Sequence, residues 1–571
     1  MGKITRLVIS IFVASSAYGQ LLPDQKQVDF QELAALYAKQ YAPYEWKRDV
    51  LGFDMLKIAS WLDRVRQSKS DIEFYEICSQ YVASLNDAHL VYELPTDFFA
   101  SIGFEVDLYD GKALVETIDA PTALAFPIRI GDELVSFDRK TVAEWLKEFG
   151  KYSVFANSRS TDRYNASLIT FRDQLVYPRA AEIGDDAEVV VRHASGSLET
   201  FRIPWDKIGL PITTVGPVPA PKLNSIRRLK PRVRRSSDDP ADAPPGYLKP
   251  LSDLQNFRLP SEKFLRGFGE VTPVFSPSFP SSFVRRLGRS TDFFYSGTYQ
   301  DSGKRIGFIR IPDMLAFDGA SAASFALRQF EAEITYMQAN TDGLVLDVMR
   351  NPGGLGCYSE ELLRRVIPSR FRGIGVEVRV TRDWVINISE SIEQAQFFGA
   401  PQNTINQLQG ILAQLQDAYK QNRGRTDAIP VCATYFERDP ATTTAGNPVV
   451  YTKPTVLLTD EFTTSAAEVF AAIYQDSKRG PILGWRTAGA GGSVVGPEPT
   501  GYYSESVSTV TQSLLVRTEN QVVPGVATTA YIENVGVRPD IPVDYMTTAN
   551  LTNRGKSFVD AFTAAIVNLL K

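Results

Sequence analysis

The chain has 571 residues, of which 44% are hydrophobic and 22% charged, and its formal net charge is -5. At this length a single hydrophobic core is excluded, and several domains are expected. The composition is that of a folded protein, and the negative charge argues against nucleic acid as the main partner.

The first residues predict export from the cytoplasm. A basic start, the apolar run LVISIFVASSA and the small residues Ala17 and Gly19 have the pattern of a secretory signal over residues 1–19. A membrane anchor is the alternative, but the run is short for a span. We therefore expect a secreted or periplasmic protein with no membrane span after cleavage.

Residues 20–97 show apolar residues at helical spacing and predict an N-terminal helical region. It ends at LNDAHLVYELP, which carries His89. Residues 98–206 change to short strand patterns, and the segment IGDELVSFDRKTVAEW resembles the core of a PDZ domain. Such a module adds an extended peptide to an open sheet edge; a small β domain without a ligand is the alternative.

Residues 207–290 are rich in proline and contain the basic run RRLKPRVRR, which predicts a long linker or an ordered loop insertion without a core of its own, or a processing loop. A cut between about Pro221 and Ser237 during maturation is one hypothesis, and a solvated basic surface is the other. From 291 to 571, strand and helix patterns alternate, which predicts an α/β domain with mostly parallel strands. An insertion at about 369–449, with the helical stretch TINQLQGILAQLQDAYKQ, interrupts this domain.

Histidine and cysteine are scarce. The only histidines are His89 and His193, and the three cysteines form no CxxC pair. These counts argue against a metal site and limit the chain to one disulfide. We expect no cofactor.

Three segments of the last domain occur together: GLVLDVMRNPGG at 343–354, VLLTDEFTTSAAEVFAAIYQDSKRGPILGWRTAGAGG at 456–492 and YIENVGVRPDIPV at 531–543. In this order, behind a PDZ-like module, they resemble the C-terminal-processing (tail-specific) serine peptidases and their tricorn and chlamydial-protease-like relatives. The resemblance covers most of 290–571, together with the PDZ-like module and the LNDAH segment. It implies an α/β multidomain fold whose peptidase domain is crotonase-like and related to ClpP.

Ser465 follows a predicted buried strand and precedes a predicted helix, so its hydroxyl lies at the positive end of the helix dipole. With Glu468 it also forms S-x-x-E, the pattern of a helix-capping box. The resemblance identifies Ser465 as the nucleophile.

A serine nucleophile needs a base. In the tail-specific branch this base is a lysine, but the matching position here is Ala490, which excludes that dyad. The tricorn and chlamydial branch uses a histidine and a glutamate, which match His89 and Glu533 here. Further acids could orient the imidazole: Asp87, Asp347 and Asp460. His193 lies in a strand pattern and is expected at the surface.

The resemblance also implies an oxyanion hole made by the backbone N–H groups of Gly354 and Ala466. The glycine pair in NPGG is alternatively a plain turn between a strand and a helix. The absence of a following GK[ST] argues against a phosphate loop.

These residues predict a serine endopeptidase that acts on protein or peptide substrates, in which His89 activates Ser465 and no metal takes part. A pseudo-protease that binds peptides in the PDZ-like groove without cutting them is the alternative. An esterase of the α/β-hydrolase class lacks its GxSxG signature. Cleavage preference and assembly into homo-oligomers are left open.

Overall fold

The computed structural model describes residues 20–214, 245–258, 266–314, 319–443, 445–522 and 528–571. The predicted signal at 1–19 and the predicted cut between Pro221 and Ser237 lie outside these ranges. Among the described residues, no helix has both the length and the apolar character needed to cross a bilayer.

The N-terminal region is helical, as predicted. Its elements are α1 (Pro23–Gln40), α2 (Tyr44–Leu51), α3 (Ala59–Gln67), α4 (Asp71–Ser84) and the short strand β1 (Tyr92–Glu93). Ser70 caps α4 by accepting a hydrogen bond from Glu73 N, which fixes where this helix begins. The helices enclose an aromatic core that includes Phe30, Tyr37 and Tyr81. β1 pairs with a strand near the C-terminus, at Val507–Thr511, so this region is tied to the peptidase domain.

The PDZ-like domain follows. Its strands are β2 (Phe99–Ser101), β3 (Phe104–Tyr109), β4 (Lys112–Ile118), β5 (Glu133–Phe137), β6 (Lys140–Thr141), β7 (Phe171–Asp173), β8 (Asp186–Arg192), β9 (Leu198–Pro204) and β10 (Asp206–Ile208), and its helices are α5 (Ala120–Ala125), α6 (Val142–Phe149) and α7 (Ser158–Thr170). The main antiparallel sheet has the order β3-β4-β5-β8-β9, with β6 paired to β5. β3 is therefore an edge strand. Helix α7 packs against it, because the buried Arg163 donates to the buried Asp107 of β3 at 2.9 Å.

Of the two alternatives predicted for 207–290, the described parts fit an ordered insertion rather than a linker, because they form regular structure. They contain α8 (Lys249–Gln255), β11 (Asn256–Arg258) and β12 (Val284–Leu287). Leu251, Leu254 and Phe257 are buried in the core of the peptidase domain. Their apolar area is what holds this segment in place, and the abundance of proline and charge around it obscured that signal in the sequence.

The peptidase domain is α/β, as predicted. Its strands are β13 (Tyr295–Asp301), β14 (Lys304–Arg310), β15 (Gly343–Asp347), β16 (Gly353–Leu355), β17 (Phe371–Arg372), β18 (Gly375–Val378), β19 (Ile429–Pro430), β20 (Glu437–Arg438), β21 (Thr455–Thr459), β22 (Ile482–Gly484), β23 (Val494–Pro499), β24 (Val507–Thr511), β25 (Ser513–Gln521), β26 (Thr529–Tyr531) and β27 (Ile541–Pro542). Its helices are α9 (Gly319–Asn340), α10 (Gly356–Leu363), α11 (Arg382–Phe397), α12 (Gln402–Lys420), α13 (Ala466–Asp476), α14 (Thr548–Thr552) and α15 (Lys556–Asn568).

The central sheet of this domain has the order β12-β13-β14-β15-β21-β22-β27. Its strands are parallel from β14 onward. β15 and β21 are neighbours and buried along their whole length. The loops that follow them, which hold the glycine turn and Ser465, therefore meet at one edge of the sheet.

The insertion at 369–449 contains α11 and α12, and its β18 pairs with β25. One disulfide, between Cys357 and Cys432, joins the start of α10 to this insertion, while Cys78 is buried and free. This agrees with the expectation of a single bridge.

Candidate active site

Ser465 occupies a sharp bend between β21 and α13. Its φ of 60° and ψ of -116° lie outside the regions that non-glycine residues favour. A side chain kept in such a conformation must be held by its surroundings, and residues of this kind cluster at functional sites. Ser465 is also fully buried.

The hydroxyl of Ser465 faces His89. The distance from Ser465 Oγ to His89 Nε2 is 2.7 Å, although the two residues are 376 positions apart in the chain. The N–H of Glu468 donates to the main-chain oxygen of Ser465 at 2.8 Å. The N–H of Ser465 also donates to Glu468 Oε2 at 2.9 Å, as in the predicted capping box, while the side-chain oxygen of Ser465 lies against the imidazole, as a nucleophile requires.

His89 lies in the turn that follows α4. Asp87 accepts the backbone N–H of His89 at 2.8 Å, which closes the turn. The other carboxylate oxygen of Asp87 accepts from the hydroxyls of Tyr41 at 3.0 Å and Thr511 at 2.9 Å. The hydroxyl of Thr509 donates to the carbonyl of His89 at 2.7 Å. The imidazole is therefore positioned jointly by the N-terminal helices and by strand β24.

Two buried acids lie on the His89 side of the site. Asp87 Oδ1 is 3.9 Å from His89 Nδ1, an electrostatic distance rather than a hydrogen bond. Glu533 instead accepts from Lys47 Nζ at 2.5 Å and from Gly491 N at 2.9 Å. Burial raises the pKa of Glu533, the charge of Asp87 raises it further, and Lys47 opposes both effects.

The other candidate acids have different partners. Asp347 pairs with Arg310 at 3.1 Å. Asp460 accepts from the hydroxyl of Tyr545 at 2.8 Å. His193 lies in the PDZ-like domain, where its pairing with Asp132 at 2.9 Å raises its pKa.

Glu468 organises the backbone on the Ser465 side. Its buried carboxylate accepts from the N–H groups of Ser465 at 2.9 Å, Gly489 at 2.7 Å and Ala490 at 2.8 Å, and from the hydroxyl of Thr487 at 2.6 Å. Burial raises the pKa of Glu468 to about 7, and these hydrogen bonds act to lower it. Ala490, the position where the tail-specific branch has its lysine, is itself fully buried.

The glycine turn lies directly beside the nucleophile. Gly353 has a φ of 87°, and a Cβ atom at this position would come within 2.8 Å of Ser465 Cβ. Gly354 has a φ of 144°, and a Cβ atom there would come within 2.5 Å of the Met314 carbonyl. Only glycine fits both constraints. Ala466 is the first residue of α13, where backbone N–H groups are free of helical partners.

A strand from the same chain lies across this site. β11 pairs antiparallel with β16, which sets Phe257 opposite Gly354. The carbonyl of Phe257 accepts a hydrogen bond from Ser465 Oγ. Residues 256–258 therefore lie over the nucleophile in the way an extended peptide would.

Sequence reasoning missed the contribution of Tyr41, Lys47, Phe257 and Thr511. Each belongs to an ordinary helical or strand pattern, so no local signal distinguished them. Their contacts join positions far apart in the chain, which a single sequence does not reveal. Within the described ranges, no group of three or more His, Cys, Asp or Glu side chains could hold a metal ion.

Comparison with known proteins identifies the domains of the chain. The model of peptidase family S41 matches residues 305–543, and a PDZ domain model matches residues 99–211. An uncharacterised protein of Chlamydia muridarum is 26% identical over 97% of this chain and 95% of its own length. A protein of Chlamydia trachomatis is 25% identical, over 96% of this chain and 94% of its own length.

Solved structures show the same fold. Mature CPAF in complex with lactacystin has a TM-score of 0.73 and 20% identity, covering 96% of this chain and 99% of that one. Mature CPAF alone has a TM-score of 0.72 and 21% identity, covering 96% and 98%. The protein is a serine peptidase. It combines a PDZ domain with a peptidase family S41 domain, as the sequence predicted.

Proposed function

We propose that this protein is an exported serine endopeptidase that hydrolyses protein substrates through an acyl-enzyme at Ser465. The observation that carries the proposal is the 2.7 Å distance between Ser465 Oγ and His89 Nε2. The signal pattern at 1–19 supports export, and so does the Cys357–Cys432 disulfide, because such bonds persist in oxidising compartments.

The chemistry follows from the geometry. His89 takes the proton of Ser465 as Oγ attacks the scissile carbonyl carbon, and the carbonyl oxygen becomes an oxyanion. The N–H groups of Gly354 and Ala466 stabilise this charge. When the intermediate collapses, His89 passes the proton to the leaving amine. A water molecule, deprotonated by His89, then attacks the ester and regenerates Ser465.

Asp87 supports this cycle in our proposal. It fixes the turn that carries His89, and its carboxylate lies 3.9 Å from Nδ1 of the imidazole ring, which becomes cationic when Nε2 takes the proton. Glu533, the acid that the family resemblance implies, is the second candidate for this role. Its pairing with Lys47 offsets its charge, which is why we rank Asp87 first.

Access to the nucleophile requires movement of residues 256–258. A substrate strand that pairs with β16 needs the place that β11 occupies. We therefore propose that the described form is latent. We expect a cut in the segment between Pro221 and Ser237 to make this movement easier, because β11 would then be tethered to the chain from one side only, although the burial of Leu251, Leu254 and Phe257 still opposes it.

A peptide-binding module without catalysis is the second candidate function, and Ala490 in place of the family's lysine favours it. Two features support the catalytic role instead. The Ser465–His89 contact supplies a base in place of the lysine. In the PDZ-like domain, α7 already packs against β3, the edge strand to which a bound peptide would have to be added.

Hydrolysis of casein by the matured protein tests the proposal. We expect Ser465→Ala to lower the rate by about 10⁴-fold or more, because removing a nucleophile disables the whole unit. Ser195→Ala, in the exposed turn between β8 and β9, is the matched control and should leave the rate unchanged. Casein hydrolysis that persists in Ser465→Ala would defeat the mechanism, and an inactive but fully processed wild type would favour the binding module.

A further inference from the structure

β11 shows which side chain lies next to the bond that the nucleophile would attack. The carbonyl oxygen of its central residue, Phe257, accepts a hydrogen bond from Ser465 Oγ. The same oxygen lies beside the glycine turn, because a Cβ atom built on Gly353 would come within 2.6 Å of it. A substrate brings the carbonyl of its scissile bond to this place. Phe257 therefore occupies the position of the substrate residue on the amino side of that bond.

The backbone of β11 follows the course of a bound peptide. It pairs antiparallel with β16, where Phe257 lies opposite Gly354. On its other side, the side chain of Asn256 donates to the carbonyl of Val494 in β23 at 3.3 Å. An extended peptide that is held on both sides has a fixed register, so the side chain at the Phe257 position has a fixed place in the site.

The ring of Phe257 is enclosed by apolar groups. Phe257 is 0% exposed and belongs to the same apolar cluster of the peptidase domain as Leu254 and Met314. When β11 moves away, the space of this ring becomes a pocket for the substrate side chain at the same position. A charged side chain would enter such a pocket only at a large cost in desolvation.

Gly356 provides the room for this ring. It is the first residue of α10, and a Cβ atom built there would overlap the ring of Phe257, within 2.5 Å of its Cδ2 atom. The φ of Gly356 is not positive, so the backbone conformation at this position does not require glycine. Glycine is needed here because the ring occupies the space that a side chain would take.

We propose that Gly356 determines the cleavage specificity, and that this peptidase cuts after large uncharged side chains, with phenylalanine preferred. The proposal rests on the peptidase activity proposed above for Ser465. A side chain at position 356 would make the pocket shallower and favour alanine instead. Each methylene group gained or lost in an apolar pocket changes kcat/KM by about 10- to 200-fold, so the size of the pocket is a strong determinant.

Peptides that differ at one position test the preference. Each peptide is acetylated and amidated and contains LQNXR, which copies residues 254–258 with X in place of Phe257. X is phenylalanine, alanine, lysine or aspartate. We expect the matured protein to cut after X, with a kcat/KM at least tenfold higher for the phenylalanine peptide than for any of the other three. A smaller preference, or faster cutting after alanine, lysine or aspartate, would overturn the proposal.

A variant of Gly356 tests the pocket itself. In Gly356→Ala the added Cβ takes space that a phenylalanine ring needs and an alanine side chain does not. The ratio of kcat/KM for the phenylalanine peptide to that for the alanine peptide should therefore fall at least tenfold. Gly410→Ala is the matched control, because Gly410 also lies in a helix, α12, but a Cβ atom there would meet nothing within 4 Å. An unchanged ratio in Gly356→Ala would refute the pocket.

Failure of the specificity and failure of the peptidase activity are distinguishable. If the matured protein cuts neither casein nor any peptide, the proposed peptidase activity is refuted, and the specificity is refuted with it. If casein is cut and this activity is lost in Ser465→Ala, but the phenylalanine peptide is not preferred at least tenfold, only the specificity is refuted.

Discussion

The two halves of the active site are built in different ways. The Ser465 half comes from one domain, with consecutive pieces of chain: strand β21, the strained serine and helix α13, beside the glycine turn that follows β15. The His89 half is assembled from distant pieces, since Tyr41 and Thr511 together hold the turn that carries the imidazole. The nucleophile is thus fixed by local folding, while its base depends on how the N-terminal region docks.

Because of this contrast, we expect the position of His89 to be more sensitive to mutation than the position of Ser465. Any change that shifts the N-terminal helices relative to β24 moves His89 without disturbing Ser465. The hydrogen bonds of the Ser465 backbone N–H and of the Glu468 carboxylate, by contrast, lie within the peptidase domain. The following variants probe the two halves separately.

The largest expected effect is the loss of the base. His89→Ala should lower the kcat/KM of the matured protein by about 10⁴-fold, because the hydroxyl of Ser465 is then left without a proton acceptor. His193→Ala is the natural control, since it removes the other histidine, which lies in the PDZ-like domain. Similar losses in the two variants would contradict the assignment.

The second-largest expected effect is the loss of Asp87, the acid beside His89. Asp87→Asn should lower kcat/KM by about 10³-fold, because the imidazole loses both its orientation and a nearby negative charge. The double variant Lys47→Met with Glu533→Gln keeps the buried charge balanced and should reduce kcat/KM by no more than about tenfold. A larger loss of kcat/KM in the folded double variant than in Asp87→Asn would show that Glu533, rather than Asp87, is the acid that supports His89.

Release of β11 tests whether Ser465 and His89 are already arranged for catalysis and are only blocked by β11. A specific cleavage site placed between Pro221 and Ser237 should give a chain that is inactive when intact and at least 100-fold more active after cutting, because a substrate then has access to β16. The same site placed in the turn at 194–197 is the control, and cutting there should leave activity unchanged. An intact chain with full activity would show that β11 does not block the site.

The smallest expected effect is a pH dependence of the free energy of unfolding, caused by Glu468 in the Ser465 half of the site. The pKa of Glu468 is about 7 in the folded protein and 4.5 without burial, so the folded state retains a proton that the unfolded chain has lost. Stability from this group is fully present below pH 4.5 and is lost as the pH rises through 7, by on the order of 3 kcal/mol.

Denaturant unfolding at pH 4.5 and pH 8 measures this dependence, with Ser465→Ala present in both proteins to prevent self-digestion. The free energy of unfolding should fall more with rising pH for the parent than for Glu468→Gln, since glutamine does not titrate. The opposite sign, with the parent gaining stability toward pH 8, would mean that its hydrogen bonds outweigh burial and keep Glu468 ionised.

The sequence predicted the local half well. The strand, the serine, the glycine pair and the following helix are contiguous patterns, and the structure places them at one edge of the sheet. The PDZ domain was also predicted. The position of His89 beside Ser465 followed from family resemblance rather than from any pattern around LNDAH, and the structure brings the two together.

What the sequence did not predict depends on contacts between distant segments. The salt bridge between Lys47 and Glu533 joins a helix near the N-terminus to a loop near the C-terminus. β11 lies in a region whose composition predicted a linker or an ordered insertion without a core of its own, yet Phe257 is fully buried over the nucleophile. In both cases tertiary packing determines the outcome, and no local periodicity reports it.

The most direct test of the central claim is covalent labelling of the matured protein with a fluorophosphonate, followed by peptide mapping. We predict one modified residue, Ser465, with labelling abolished in His89→Ala and retained in His193→Ala, because only the serine beside His89 is activated. Labelling at another serine, or equal labelling of Ser465 with and without His89, would contradict the account.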